Sequence, residues 1–376
     1  MASDALKSSR LSADAVQALN GLEAARERTL ALVAHLDDDQ LQRVHSPLMS
    51  PLVWDLGHIA AYEDLWLAHR HGELELLRPQ LADLYDAFET PRAIRGDIEA
   101  LGPRDARAYL EAVRTRTVET IAERGVGDGV VTEMVIRHEL QHGETMRQTL
   151  AIAGLLAQDE AIAADRPMSR AGSAAWVDVP AGPFAMGAPD DCFSYDNERP
   201  RHVVQTTAFQ IARLPASNSD WLAFADGGGY ERRELWSDEG WAWRAEQDRP
   251  QHPAIAAGHP QAPASHICWF EAAAFAAANE ARLPSEAEWE KAATTSSLDE
   301  TGRVWEWTQT SFHGYPGFLA HPYREYSEVF FGDGHRVLKG GSWATDERVA
   351  TPQFRNWDLP QRRQIFAGLR LVRGPA

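Results

Sequence analysis

The sequence predicts an α+β fold in two parts, a four-helix bundle followed by a domain of short strands and long loops. Three observations lead there. Apolar residues recur at helical spacing to about residue 155, the text turns polar and Ala-rich over 157–173, and beyond that Trp, Gly, Pro and Asp cut the chain into short apolar runs. At 376 residues the chain has room for two domains of about 150 residues each. The expected boundaries are 1–160 for the bundle, 161–173 for a linker and 174–376 for the second domain.

Each helix has its own warrant. Residues 12–36 place Val16, Leu19, Leu22, Leu30, Val33 and Leu36 at helical spacing behind Ser12, whose hydroxyl suits an N-cap. Residues 51–70 start with Pro51, whose missing N–H costs little in a first turn. Residues 104–123 and 130–155 supply two more helices, and a bundle of this kind builds its sites from side chains facing inward. After the linker, runs such as GGGYERRELWSDEGWAW, GRVWEWTQTSFHGYPGF and VLKGGSWATDE mark strands and loops, with helix expected only over 271–292.

Composition narrows the function. Fifty-five acidic residues against 37 Lys and Arg leave a net charge of −18, the wrong sign for nucleic acid or an anionic membrane. The two cysteines, Cys192 and Cys268, make neither a disulfide scaffold nor a Cys-rich zinc site, and they fit a cytoplasmic protein. Neither a signal-peptide core nor an apolar run long enough to span a membrane is present, so a soluble, cytoplasmic protein is expected.

The sharpest chemical signal is HELQH, His138 to His142. Spacing of i and i+4 puts both imidazoles on one helix face, where they can share a metal ion. The same string serves zinc proteases, with Glu139 as general base, and also arises from two merely packed histidines. His58, among Trp54, Leu56 and Ile59 on the second helix, is a third candidate ligand if it faces the bundle interior. Three neutral imidazoles with open positions suit Fe(II), Zn(II) or Cu(II). Arg92 and Arg95, three apart in a connecting loop, can grip carboxylates or simply be solvated. Tyr323 and Tyr326 lie in the phenol-rich HPYREYSEVFF, while Asn356, Trp357 and Asp358 can line a polar pocket. Arg362 and Arg363 read as an internal ion-pair network or as solvated.

Ten segments in order, HSPLMSPLVWDLGHIAAYEDLWL, LYDAFETPRAIR, HELQHGETM, YDNERPRHVV, GGYERRELWSDEGWAW, RLPSEAEWEKA, VWEWT, PYREYS, VLKGGSW and RNWDLPQRRQIFAGLRL, together resemble the ergothioneine-type (EgtB-like) sulfoxide synthases. The resemblance runs from about residue 12 to 372. It implies a DinB-like four-helix bundle followed by a formylglycine-generating-enzyme-type domain, a variant of the C-type lectin fold. It implies an oxidoreductase that uses non-haem Fe(II) and O₂ to join a sulfur donor to C2 of the imidazole of hercynine, the histidine betaine. Carried over by motif, the iron ligands are His58, His138 and His142 and the catalytic phenol is Tyr323. Arg92 and Arg95 meet the carboxylates of a γ-glutamylcysteine donor, Asp358 meets its amino group, and Gln141, Tyr326, Asn356 and Trp357 contact the betaine.

The chain departs from the family in being short over 246–266 and 291–302, which bear on the donor. Selenoneine synthases are relatives that use a selenosugar with the same betaine, whereas Arg92 and Arg95 suit a donor with carboxylates. The zinc hydrolase is the competitor from another class. Formylglycine generation is set aside, because its chemistry uses a cysteine pair late in the domain and no Cys follows Cys268. Oligomeric state and any calcium site are left open.

Overall fold

The computed structural model describes residues 11–169, 175–247, 252–295 and 298–374. It divides the chain into two compact units, Met1–Ala157 and Gln158–Ala376.

In the first unit the four expected helices form, the first ending four residues before its expected end at 36. Helix α1, Ala13–Leu32, opens on Ser12, whose side chain accepts from the Ala15 N–H. A short helix α2, Asp38–Gln42, is closed by a reciprocal cap between Asp37 and Gln40. Helix α3, Leu52–Glu63, begins after Pro51 and continues as a widened π-type segment, Asp64–His71. Helix α4, Pro103–Arg124, ends on Gly125 at φ +72°, and α5, Val130–Ala153, ends on Gly154 in the left-handed conformation. α3 packs against α4 and α5, and α1 against α5. The core between them is built from Val33, Leu56, Ile59, Leu110, Val113, Met146 and Leu150. Two of the apolar positions expected on α1, Val16 and Leu30, are exposed. The buried stripe of that helix instead includes Arg26 and Thr29, polar residues that a hydrophobic pattern passes over.

Gly57 matters for the site. A Cβ there would lie 2.1 Å from the ring of Tyr85, so glycine lets the segment between α3 and α4 lie directly on α3. Tyr85 is buried, and its phenol oxygen accepts from the Leu101 N–H, fixing that segment at a second point.

The second unit holds a three-stranded sheet in the order β1-β4-β9, a β2-β3 hairpin and a four-stranded sheet in the order β7-β6-β5-β8. The strands are β1 Trp176–Val179, β2 Gly182–Met186, β3 His202–Thr206, β4 Phe209–Ala212, β5 Trp305–Phe312, β6 Gly332–Lys339, β7 Asn356–Asp358, β8 Ala367–Gly368 and β9 Val372–Arg373. All pairings are antiparallel except β5 with β8. Buried ion pairs brace this unit: Lys339 to Glu290 at 3.1 Å, Arg370 to Glu306 at 2.8 Å and Arg355 to Glu286 at 2.9 Å.

Helix content exceeds the expectation here. The stretch expected as helix over 271–292 is two helices, α10 Trp269–Ala278 and α11 Glu286–Thr295. Helices α7 Asn218–Asp226 and α8 Asp238–Ala245 lie in text read as strand and loop, with the short α9, Pro253–Ala257, after them. The signals were local: Ser217 and Ser237 each cap a helix, and the Gly and Trp around them hid the period. A further helix, α6 Gln158–Ala164, reaches into the stretch expected as linker, of which 170–173 lie outside the described residues. Parts of the two shortened stretches, 248–251 and 296–297, also lie outside them. Among the described residues no helix is long and apolar enough to cross a membrane.

His266 makes this unit sensitive to acid. Its ring stacks on His252 at 4.4 Å, and its Nδ1–H donates to the Arg363 carbonyl at 3.1 Å. Burial, then the neighbouring His252, pushes its pKa down to about 3. As pH falls below the ordinary ~6.5, the unfolded chain takes up a proton that the folded chain refuses, so stability is lost progressively towards pH 3 at up to ~1.4 kcal/mol per pH unit. Urea unfolding of wild type and His266→Asn between pH 7 and pH 5 is expected to show a steeper loss in the wild type. Parallel curves would assign the acid sensitivity elsewhere. Asn is chosen because residue 266 sits at φ +60°, which Asn tolerates.

Candidate metal centre

The site in the first unit begins with three helix positions. His138 and His142 lie one turn apart on α5, and His58 lies on α3. Their ligand nitrogens all fall within 4.8 Å of one another, with ring centroids 4.6–4.9 Å apart. His58 is buried and the other two are half-buried.

Each ring is held. His58 donates from Nδ1 to the Tyr85 carbonyl at 2.6 Å, which leaves the Nε2 lone pair aimed inward, 3.1 Å from His138 Nε2. His142 donates from Nδ1 to Asp55 Oδ1 at 3.2 Å. Trp54 stacks on His58 at 4.9 Å, and Tyr62 lies parallel to His138 at 3.6 Å. Trp54, His58 and Tyr62 are successive fourth residues of α3, so one face of that helix supplies a ligand and the aromatic planes beside it.

Electrostatics favour the metal-binding form. Burial first, then the nearby His142, holds His58 and His138 well below the usual histidine range, so both are neutral at physiological pH. Arg95 and Arg92 add to the effect on His58, which places their charges on the site's side of the bundle. Asp55 is 1% exposed, and its second oxygen is buried without a hydrogen-bond partner. A buried acidic side chain beside three imidazoles suits a positive charge, and a divalent cation on the ring nitrogens that face one another supplies it. The donor set therefore fits a metal ion with open positions.

The remaining expected residues divide by unit. Gln141 follows His138 by three positions on α5 and is half-buried. Arg92 is exposed in a 3₁₀ turn, Arg92–Ile94, whereas Arg95 is buried, contrary to the solvated-loop alternative. Arg95 lies 3.6 Å over the Trp54 ring and donates to Thr90 O, Ser50 Oγ and Ala87 O, leaving one N–H on each terminal nitrogen uncommitted. Burial pushes Arg95 down to about 10, so it keeps its charge at neutral pH.

In the second unit Tyr326 stacks on Tyr195 at 4.2 Å and meets Trp357 edge-on at 5.8 Å and Tyr323 at 6.3 Å. Trp357 stacks in turn on Phe312 at 4.2 Å. Asn356, Trp357 and Asp358 form strand β7, so alternation puts Trp357 on one face and Asn356 with Asp358 on the other. The three thus do not line one wall. Asp358 lies 3.8 Å from Arg362, and Arg363 is bound to Glu271, which makes that basic cluster an internal network.

Comparison with known proteins assigns a family to each part of the chain. Residues 21–146 match the DinB superfamily, and 164–299 with 297–375 match the sulfatase-modifying factor enzyme 1-like domain. The hercynine oxygenase of Mycolicibacterium thermoresistibile is 41% identical over 93% of this chain and 92% of its own length. The chain belongs to the hercynine oxygenase family. The hercynine oxygenase of Mycobacterium tuberculosis is likewise 41% identical, over 93% of this chain and 97% of its own. The formylglycine-generating enzyme of Thermomonospora curvata is 31% identical over only 34% of this chain and 51% of its own.

In this member of the hercynine oxygenase family the glutamate of HELQH is not disposed as a hydrolytic base. Glu139 is 1% exposed and bonded to Arg26 at 2.8 Å, with Arg114 at 3.5 Å. Arg26 also reaches Glu63 at 2.8 Å, and Arg114 binds the same Glu63 at 2.8 Å. One residue from each of α1, α3, α4 and α5 thereby meets in a single buried clasp. Sequence reasoning missed the supporting residues. Asp55 carried a signal, three positions before His58 on the same helix face, but the Tyr85 carbonyl and Tyr195 reach their partners through tertiary structure alone.

Proposed function

We propose that the protein couples a thiol donor to C2 of the hercynine imidazole, with O₂ as oxidant and Fe(II) held by His58, His138 and His142, as a sulfoxide-forming step of ergothioneine biosynthesis. The supporting observation is the convergence of three imidazoles in a chain of the hercynine oxygenase family. When bound, Fe(II) supplies a redox-active Lewis acid with positions for the thiolate, the imidazole and O₂. The rest is the work of the chain. Asp55 and the Tyr85 carbonyl fix two of the ligand rings, so that little reorganisation is left for the reaction. Arg92 and the terminal N–H groups of Arg95 receive the donor's carboxylates. A quaternary ammonium has no N–H to donate, and the faces of Tyr326 and Trp357 suit it.

The resemblance to the sulfoxide synthases points to Tyr323 as the phenol, and the stoichiometry says what a phenol does there. One thiol, one imidazole C2–H and one O₂ yield one sulfoxide and one water, so one oxygen must leave protonated. Dioxygenation of the thiol alone gives a sulfinic acid and no water. A phenol that delivers a proton therefore favours coupling, and Tyr323 is assigned that part.

Mass spectrometry of Fe(II)-loaded enzyme with hercynine and air tests the reading, with γ-glutamylcysteine, cysteine or a selenosugar in parallel vials. The expected result is a sulfoxide with γ-glutamylcysteine. A carbon–selenium product from the selenosugar alone would leave Arg92 without its partner and move the protein to selenoneine synthesis. No coupled product in any vial would overturn the proposal.

A further inference from the structure

We infer that Asp196 is a positioning residue for Tyr323 and so sets how O₂ is divided between coupling and thiol dioxygenation, an inference that rests on the function proposed above.

The observation is a single carboxylate holding both ends of one short segment. Tyr323 lies in the stretch from His321 to Ser327. At its start the His321 N–H donates to Asp196 Oδ2 at 3.3 Å, and at its end the Ser327 hydroxyl donates to Asp196 Oδ1 at 2.6 Å. Asp196 is 4% exposed and Ser327 fully buried, so the Ser327 bond is shielded from water, while the His321 bond is half-buried. The preceding residue works with it. Tyr195 is buried and stacks within 10° of parallel on Tyr326, which meets the Tyr323 ring edge-on. Asp196 opens a 3₁₀ turn, Asp196–Glu198, in which Tyr195 and Glu198 form a reciprocal cap. The anchor is thus part of a fixed turn, while the segment it holds consists of turns joined by irregular backbone. Asp196 also accepts from the Asn197 N–H inside its own turn, so the two bonds that leave the turn both go to the His321–Ser327 stretch.

Such a clamp bears on the product through the proton. In coupling, the S–H and C2–H bonds break, the S–C bond forms, the O–O bond breaks, one oxygen stays on sulfur and the other takes two hydrogens as water. In dioxygenation both oxygens end on sulfur as R–SO₂H, and no proton need be delivered to a departing oxygen. A phenol displaced from its working position loses the first route and leaves the second untouched. Displacing a reacting group by ~1 Å can cost up to ~10²-fold in the step it serves.

Two variants separate positioning from folding. Asp196→Asn keeps an acceptor for the Ser327 hydroxyl but sets an NH₂ group against the His321 N–H, releasing that end. Ser327→Ala releases the other end with no change of charge, and it decides the matter if the Asn variant does not fold. With γ-glutamylcysteine, hercynine and limiting O₂, the ratio of sulfinic acid to sulfoxide is measured beside melting temperature, with Tyr323→Phe as reference. The expected result is a ratio raised about tenfold in Asp196→Asn, in the direction of Tyr323→Phe, with a smaller rise in Ser327→Ala. Slower turnover or lower melting at an unchanged ratio would overturn the inference and make Asp196 merely structural. An unchanged ratio in Tyr323→Phe would remove the role of the phenol and the inference with it. A wild type that forms no sulfoxide from any donor would instead overturn the proposed function itself.

Discussion

His138→Ala is expected to lose stoichiometric metal binding and all oxidative turnover while the bundle remains folded. The ring is half-buried and contributes one of three nitrogens lying within 4.8 Å of each other, so its removal leaves two ligands on separate helices. Two imidazoles cannot enclose a cation on one side while leaving open positions on the other. The loss should exceed the ~10–100-fold in affinity that follows removal of a supporting partner, which is the magnitude expected for Asp55→Asn. Titration with Co(II), followed by its visible absorption, and elemental analysis after Fe(II) loading make the comparison free of any substrate. The wild type should bind one equivalent, Asp55→Asn one equivalent more weakly, and His138→Ala none. Full occupancy in His138→Ala would remove that residue from the ligand set.

The contrast between those two residues shows what the sequence carries. Helical periodicity is local, so α1, α3, α4 and α5 were legible from the spacing of Leu and Val, and so was the common face of His138 and His142. His58 was legible only as an inward position awaiting partners. What fixes it, the carbonyl of Tyr85 brought close by Gly57, depends on a segment folding back across α3. In the second unit the strands are brief and their order is set by pairings between distant segments, such as β5 with β8, for which no local pattern exists. There the serines that cap α7 and α8 are single residues, and the Gly and Trp around them break the apolar period. The same limit applies to charge. Arg95 in a polar loop reads as solvated, yet it is buried on Trp54 because backbone carbonyls from Ala87 and Thr90 turn towards it.

Glu139 is where the two readings of HELQH part most sharply. If this residue were a general base, Glu139→Gln would leave a protein as stable as the wild type and without activity. The clasp predicts the opposite pattern. Burial pushes the Glu63 carboxyl up, but Arg114 and Arg26 outweigh it and hold Glu63 below the usual carboxylate range. Arg26, conversely, is held above its ordinary value by Glu139 and Glu63 against the opposing effect of burial. Two arginines and two glutamates thus balance in a region where Glu63 and Glu139 are each 1% exposed. Removing the Glu139 charge leaves the buried Arg26 and the half-buried Arg114 sharing Glu63, with only the exposed Glu23 at 3.5 Å from Arg114 besides, and breaking a buried pair in this way costs about 3–5 kcal/mol. Denaturant unfolding of Glu139→Gln should show that loss, together with turnover per folded, metal-loaded molecule that remains measurable. Arg26→Met combined with Glu139→Leu should recover part of the stability, because it removes one charge of each sign and leaves Arg114 paired with Glu63. Unaltered stability in Glu139→Gln with abolished turnover would refute the clasp and restore Glu139 to the chemistry. Because the ligand pair His138 and His142 rides on the same helix that Glu139 ties to α1, α3 and α4, the residue that distinguishes a hydrolase in sequence here secures the frame that holds the metal ligands.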